Sequence, residues 1–287
     1  MGLSVGALDH LIESFGPQAR RVLEAAGRLV YPPHCLVCGR AAEESEDRYI
    51  CRDCIAQVQC VAEPTCPRCG HELGPHTDQT RRCVVCRNMP MRFDRAVAAA
   101  HHLGPIRDLV LALKFAGQRQ NALPLGKFLV ARVMDTEIPQ TVQTIVPVPL
   151  HRRRRRTRGF NQSELLAEEL GRRLGLPVLK KGLRRVVDTP PQTQVSSPAS
   201  RRANVKGAFS VRKRAAVERK SVLLVDDVLT TGATTSECAG VLKRAGAGKV
   251  FVVTVTRRMT TPPQSAGRSA QPVRYEIESA PWPRPLL

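Results

Sequence analysis

Ser221-Val-Leu-Leu-Val-Asp-Asp-Val-Leu-Thr-Thr-Gly-Ala-Thr-Thr235 is the stretch that decides the fold. Val222 to Val225 is an unbroken apolar run, of the length of a strand buried on both faces of a parallel sheet. The residues that follow are small and hydroxylated, with one Gly. Beyond them Cys238, Val241, Leu242 and Ala245 recur at helical spacing. The predicted order is strand, acidic pair, tight loop, helix.

Each part of that order has a chemical use. A loop of small residues entering a helix leaves backbone N–H groups unpaired and aimed at one point, where the helix dipole also favours an anion. Thr230, Thr231, Thr234 and Thr235 add hydroxyls, while Gly232 and Ala233 let the backbone come close; together they make a cup for one phosphate. The Lys of an ATP-binding P-loop is missing. Asp226 and Asp227 are expected at the carboxyl end of the strand, where open α/β sheets bind ligands. Two carboxylates there suit sugar hydroxyls or Mg²⁺, which takes a few carboxylate oxygens plus water and substrate phosphate. The plainer account is a strand end followed by a capping box of Thr234 and Glu237. The coincidence of so many features in order favours the ligand site, and the stretch resembles the phosphoribosyl pyrophosphate (PRPP) signature of type I phosphoribosyltransferases.

Working outward, 287 residues allow about two domains, and 42% hydrophobic residues supply a core. Aromatics are only 4%, so stacking platforms for single-stranded nucleic acid are not an obvious feature. A formal charge of +20 favours phosphorylated or polyanionic partners. No run of about 18 apolar residues occurs, so no membrane span is expected. Asp9 and Glu13 near the start argue against a secretory signal, and the expected compartment is the reducing cytoplasm. Leu8, Leu11, Ile12 and Phe15, then Val22, Leu23, Ala26, Leu29 and Val30, predict packing helices over 1–30.

Residues 31–90 carry a metal pattern. Cys35-x-x-Cys38 and Cys51-x-x-Cys54 are separated by twelve residues, Cys66-x-x-Cys69 and Cys83-x-x-Cys86 by thirteen. Two closely spaced thiolate pairs are what tetrahedral Zn²⁺ needs, so the region reads as two zinc ribbons paired in sequence order, with crossed pairing as the alternative. Disulfides compete with this account but suit an oxidising compartment. Four Cys ligands leave no open position, which makes both ions structural. Gly39 and Gly70 follow their pairs where a knuckle turn benefits from positive φ. His34, His71 and His76 are not needed as ligands, and Cys60 and Cys238 read as packing residues.

From Phe93 on, α/β alternation begins, predicting a domain over 91–258. Ala96 to Ala100 reads as a strand. Ile106, Leu109, Val110 and Leu113 form one helical face, and Leu125, Phe128, Leu129 and Val133 another. Thr144 to Leu150 reads as a strand closed by Pro147 and Pro149. A basic loop follows, His151 to Gln162, and then a helix capped by Asn161 with Glu164 and carrying Leu166, Leu170 and Leu174. Alone, a run of five Arg is a solvated or nucleic-acid-attracting tract. Beside the acidic and Thr-rich loop it is placed to bind pyrophosphate. Residues 184–209 predict a long loop or loose hairpin, and Lys249 to Thr256 another strand. The tail over 259–287 is expected to be disordered, with Val273 to Ile277 as a possible edge strand.

Pro147-Val-Pro149, His151, Arg154, Arg158-Gly-Phe-Asn-Gln162, Lys114-Phe115 with Gly117, Thr189-Pro-Pro-Gln192, and Arg201 with Asn204 to Phe209 are similar to the ComF/GntX family over roughly residues 28–258. The resemblance implies an α/β, type I phosphoribosyltransferase-like, mostly parallel sheet flanked by helices and preceded by a zinc ribbon domain. It further implies a mobile segment over 184–209 that closes on the site. The implied activity is attack of an acceptor on C1 of PRPP with loss of pyrophosphate. Asp226 and Asp227 would hold ribose hydroxyls and Mg²⁺, Thr230 to Thr235 the 5′-phosphate, Arg154 and Arg158 the pyrophosphate, and Arg201 would close over it. Thr230 stands where the hypoxanthine/guanine branch carries an Asp facing the purine, which disfavours a 6-oxopurine acceptor. The alternative is a DNA-uptake (competence) accessory role, with the zinc ribbons meeting a helicase or single-stranded DNA and the PRPP fold as scaffold.

Overall fold

A computed structural model describes residues 34–42, 49–74, 83–88, 91–189 and 198–258. The expected helices over 1–30, the tail over 259–287 and His76 lie outside the described residues. The chain divides into two compact units, Met1–Ile55 and Ala56–Leu287.

In the first unit, the Cys35–Cys38 knuckle closes through Gly39 N–H donating to the Cys35 carbonyl at 2.9 Å. Helix α1 (Arg52–Ala56) follows Cys51, whose carbonyl accepts from Ile55 N at 3.0 Å.

The second unit begins with a matching knuckle at Cys66–Gly70 and helix α2 (Val84–Asn88). Strand β1 (Arg95–His101) leads to α3 (Gly104–Phe115), with Pro105 in its first turn, and to α4 (Ala122–Met134). Every residue of the two predicted apolar helical faces is buried. A short α5 (Ile138–Thr141) precedes β2 (Thr144–Pro147). That strand is shorter than the stretch to Leu150 expected from sequence. Val148 N still donates to Val225 O at 2.9 Å, but Pro149 has no N–H with which to continue the ladder.

The Arg run is not a loop. It forms helix α6 (Arg152–Arg158), which ends at Gly159 in the left-handed conformation, φ 79°. Arg is a good helix former, and a terminal Gly supplies the stop. Helix α7 (Gln162–Leu174) is capped by the Asn161 side chain, which accepts from Ser163 N at 3.2 Å. Glu164 does not complete a capping box; it pairs with Arg155 at 2.7 Å instead. The segment expected as a loose hairpin forms an antiparallel pair of β3 (Leu183–Arg185) and β4 (Phe209–Val211), with α8 (Pro198–Val205) between them.

Strand β5 (Val222–Leu229), helix α9 (Ala233–Arg244) and strand β6 (Val250–Arg257) complete the unit. The main sheet is parallel, in the order β1-β6-β5-β2. β5 runs past the acidic pair because β6 is equally long, aligning Asp226 with Thr254 and Val228 with Thr256. Both sheet edges are covered. At β1, His101 N donates to Gln59 O at 2.8 Å and Val61 N to Ala99 O at 3.1 Å; at β2, Leu179 N donates to Ile145 O at 2.8 Å. The second cysteine set belongs to the same core as the sheet: Cys66, Cys69, Cys83 and Cys86 share one buried cluster with Phe93, Leu224, Val252 and Leu242.

Candidate functional site

The acidic pair is addressed by two helices. From α7, Ser163 Oγ donates to Asp226 Oδ1 at 3.0 Å, and Asp227 N donates to the same oxygen at 3.0 Å. From the end of α3, Lys114 Nζ reaches Asp227 Oδ1 at 2.7 Å. Both carboxylates are buried, and Asp227 Oδ2 has no hydrogen-bond partner among the described residues. Burial and the neighbouring Asp227 charge push the Asp226 carboxyl up to about 7, while Lys114 and the two hydrogen bonds pull the other way. A buried, bare carboxylate oxygen beside a carboxyl that resists ionising lacks the hydroxyl donor or cation that would satisfy it.

Helix α6 brings Arg158 close enough to Asp227 for the two charges to attract. Arg154 and Arg158, one turn apart, are half-buried, while Arg152, Arg153, Arg155 and Arg156 are exposed. Arg158 donates to Gln162 Oε1 at 2.6 Å and stacks 5.3 Å from the centre of the Phe115 ring. Burial holds its guanidinium below the usual arginine range against the attraction of Asp227. Arg154 donates to the Thr189 carbonyl. His102, half-buried near Lys114, is pushed down to about 4 by its partial burial and then by that charge.

The loop from Thr230 leads to Gly232, which takes φ 73° as the residue before α9 and makes no side-chain cap. Met91 Sδ lies 3.2 Å from where a Cβ on Gly232 would stand. Thr235 Oγ1 donates to Gly232 O at 3.1 Å, and Thr231 Oγ1 accepts from Ala233 N at 3.4 Å, so these two hydroxyls serve the turn itself. The cap position falls on Gly232, so Thr234 stands inside the first turn of α9 and not at its cap. Glu237 accepts from Gly207 N at 3.1 Å and from Arg92 at 2.8 Å, tying α9 to the segments on either side. Arg201 is half-buried on α8, the helix that packs on α9.

Sequence reasoning gave no site role to Lys114, Ser163 or Arg185. Lys114 stood out only as part of a resemblance, and Ser163 carried no signal of its own. Arg185 stacks 5.4 Å from the Phe209 ring, with Arg154 and Asp226 close enough to influence its charge.

The eight predicted cysteine ligands gather into two groups, Cys35 with Cys38, Cys51 and Cys54, and Cys66 with Cys69, Cys83 and Cys86. This is pairing in sequence order. All eight are free thiols. Sγ atoms stand 3.7 Å apart at Cys38 and Cys51, 3.5 Å at Cys69 and Cys83, and 4.0 Å at Cys66 and Cys86. A tetrahedron with Zn–S bonds of about 2.3 Å has edges of about 3.8 Å, so the donor sets fit the ion. In the second group burial opposes ionisation at Cys66, Cys69 and Cys83. Backbone donors at Cys69 and Arg68 nonetheless bring Cys66 down to about 7, whereas burial and the neighbouring thiols push Cys83 up to about 11. A bound cation relieves that conflict.

Gly39 and Gly70 take φ 73° and 64° as expected. Gly70 is further constrained, because a Cβ there would stand 2.5 Å from the Ala96 carbonyl oxygen. The buried Arg257 at the end of β6 donates to Cys69 O at 3.1 Å and lies 3.4 Å from His71 Nδ1. His101 Nε2 lies 2.8 Å from Glu72 Oε1. These contacts fasten the second knuckle to β1 and β6.

A double zinc ribbon domain family matches residues 26–87, and a phosphoribosyl transferase domain family matches residues 129–278. Competence protein F of Haemophilus influenzae is 32% identical over 207 residues, covering 71% of this chain and 88% of the relative. DNA utilization protein YhgH of Escherichia coli K12 is 33% identical over 213 residues, covering 73% and 91%. Competence protein ComFC of Streptococcus pneumoniae is 25% identical over 244 residues, covering 78% and 99%. Among the described residues no helix is long and apolar enough to cross a membrane.

Proposed function

Starting from a chain that belongs to the family of Competence protein F and YhgH, with its double zinc ribbon and phosphoribosyl transferase domain, we propose that the Asp226–Thr235 turn binds PRPP with Mg²⁺ and transfers the phosphoribosyl group to an acceptor. Asp226 and Asp227 accept hydrogen bonds from the ribose hydroxyls and hold the Mg²⁺. Bound there, the ion supplies positive charge against the departing pyrophosphate. The first turn of α9, entered through Thr230 to Thr235, receives the 5′-phosphate on its N–H groups. Lys114, Arg154 and Arg158 neutralise pyrophosphate, and Arg201 on α8 closes from the hairpin side. The bond from C1 to the pyrophosphate oxygen breaks as the acceptor approaches, and the electron pair leaves with pyrophosphate. The residues act by orientation and by charge already in position.

Asp227 carries this reading: one oxygen is held by Lys114 at 2.7 Å while the other is buried and bare. Calorimetric titration with PRPP and Mg²⁺ tests it. Saturable, Mg²⁺-dependent binding that disappears in Asp226→Asn plus Asp227→Asn is expected; no binding, or binding unchanged in the variant, overturns it. With Thr230 where the hypoxanthine/guanine branch has Asp, a 6-oxopurine is not the expected acceptor.

A second reading has its own support in the printed names of the relatives, which refer to competence and DNA utilization. In it the zinc ribbons meet a helicase or single-stranded DNA and the PRPP site is a scaffold or sensor. Pyrophosphate release with a panel of bases favours the enzyme. Salt-sensitive DNA binding without turnover favours the accessory role.

A further inference from the structure

Helix α6 divides its arginines between two places. Arg154 and Arg158 are half-buried, with Arg158 within range of the Asp227 charge, whereas Arg152 and Arg155 line a separate cavity of about 420 Å³ between α6, the start of α7 and the β3–β4 pair. That volume falls within the range of small-molecule sites and far exceeds what one inorganic anion fills. The wall opposite α6 is built from Lys180, Lys181, Arg184, Arg185 and Arg212, and Glu164 is the only acidic residue of the lining.

Some of this charge is already answered. Arg155 pairs with Glu164 at 2.7 Å, Lys180 with Glu168 at 2.8 Å, and Arg184 donates to Ser210 Oγ at 2.7 Å. Arg152, Lys181 and Arg212 form no ion pair among the described residues. Two further nitrogens at the inner wall, Arg185 Nε and His151 Nδ1, are buried without a hydrogen bond; His151 Nδ1 lies 3.2 Å from Asp188 Oδ1 but lacks hydrogen-bond geometry. Leu150, Leu183 and Val186 supply an apolar side to the same space.

We propose that this cavity is a second phosphate-ester site, distinct from the Asp226–Thr235 turn, that takes the phosphate of a nucleotide on Arg152, Lys181 and Arg212 while the apolar side receives its uncharged body. Cations without partners, gathered around a concave wall, attract phosphate and lose little on binding it. An apolar strip beside them favours an organic phosphate over inorganic phosphate. The nucleotide comes either as a free monophosphate or as one unit of a strand, since both present the same chemistry.

The test uses the full zinc-loaded chain with three probes: deoxyadenosine monophosphate, a short labelled oligodeoxynucleotide, and inorganic phosphate. The monophosphate is expected to bind saturably and more tightly than inorganic phosphate. Lys181→Ala plus Arg212→Ala should weaken it by about tenfold or more, the effect of losing charge-assisted contacts. PRPP titration should be unchanged in that variant, and monophosphate binding unchanged in Asp226→Asn plus Asp227→Asn. If only the oligodeoxynucleotide binds and it responds to Lys181→Ala plus Arg212→Ala, the site stands and a strand is its source. The proposal is overturned if neither nucleotide probe binds, if binding ignores Lys181→Ala plus Arg212→Ala, or if Asp226→Asn plus Asp227→Asn abolishes it. Failure of PRPP binding alone would remove the function proposed for the turn and leave this cavity in place.

Discussion

Two glycines with the same backbone sign have different neighbours, and that difference is measurable. Gly39 takes φ 73° with open space around it, whereas Gly70 takes φ 64° with a carbonyl oxygen 2.5 Å from where a Cβ would stand. Gly39→Ala should cost about 1–2 kcal/mol, the penalty of a left-handed L-residue. Gly70→Ala should cost clearly more, because the obstructing atom is backbone on β1 and cannot rotate aside; thermal unfolding of the two variants checks the ranking. His102 gives a pH signature. Its pKa falls from 6.5 to about 4 in the fold, chiefly through burial and then the Lys114 charge. The unfolded chain therefore takes up the proton first as pH falls, and stability is lost between about 6.5 and about 4. His102→Asn should flatten that part of the stability profile relative to the parent chain, as read by denaturant titration at several pH values. An unchanged difference between the two chains across the window would refute the assignment.

At the scale of elements, the turn from β2 into α7 rests on Asn161. Its side chain accepts from Ser163 N at 3.2 Å and donates to the Val148 carbonyl at 3.0 Å, in a fully buried position. Asn161→Ala removes a helix cap and leaves a buried carbonyl unpaired, so a loss of about 2–3 kcal/mol is expected in denaturant unfolding. Because Ser163 also holds Asp226, the same change should weaken PRPP binding through loss of orientation. Asn161→Asp keeps the acceptor and should recover the cap but not the bond to Val148. Helix α6 shows how a composition signal changes meaning once an element forms. As a loop, five consecutive arginines would be equivalent cations. As a helix, only Arg154 of the five, and Arg158 one turn later, are half-buried, while the other four are exposed.

At the scale of the whole molecule, the two cysteine groups belong to different units. The second shares its core with the parallel sheet and is tied to it by Arg257 and Gly70; the first lies within Met1–Ile55. Metal analysis of the purified chain should give two zinc ions. Cys66→Ser or Cys83→Ser should lower the unfolding temperature of the α/β domain in calorimetry, since a lost ligand there also leaves buried thiols inside that core. Cys35→Ser should remove one zinc and leave that transition in place. Equal effects of the two substitutions would contradict the division.

Much of this molecule was legible without coordinates because the relevant information is local. The run Val222 to Val225 gives a buried strand, the two-residue spacing within each cysteine pair gives the knuckles, and repeats of three and four give the buried faces of α3, α4 and α9. Interactions between residues a few positions apart follow the period of the backbone, so sequence alone states them. Packing decided the rest. Lys114 meets Asp227, Ser163 meets Asp226 across 63 residues, and Arg257 meets Cys69 across 188, none with a local signal. Which partner neutralises a buried charge depends on how helices settle on the sheet, and that settling is fixed by the whole core at once.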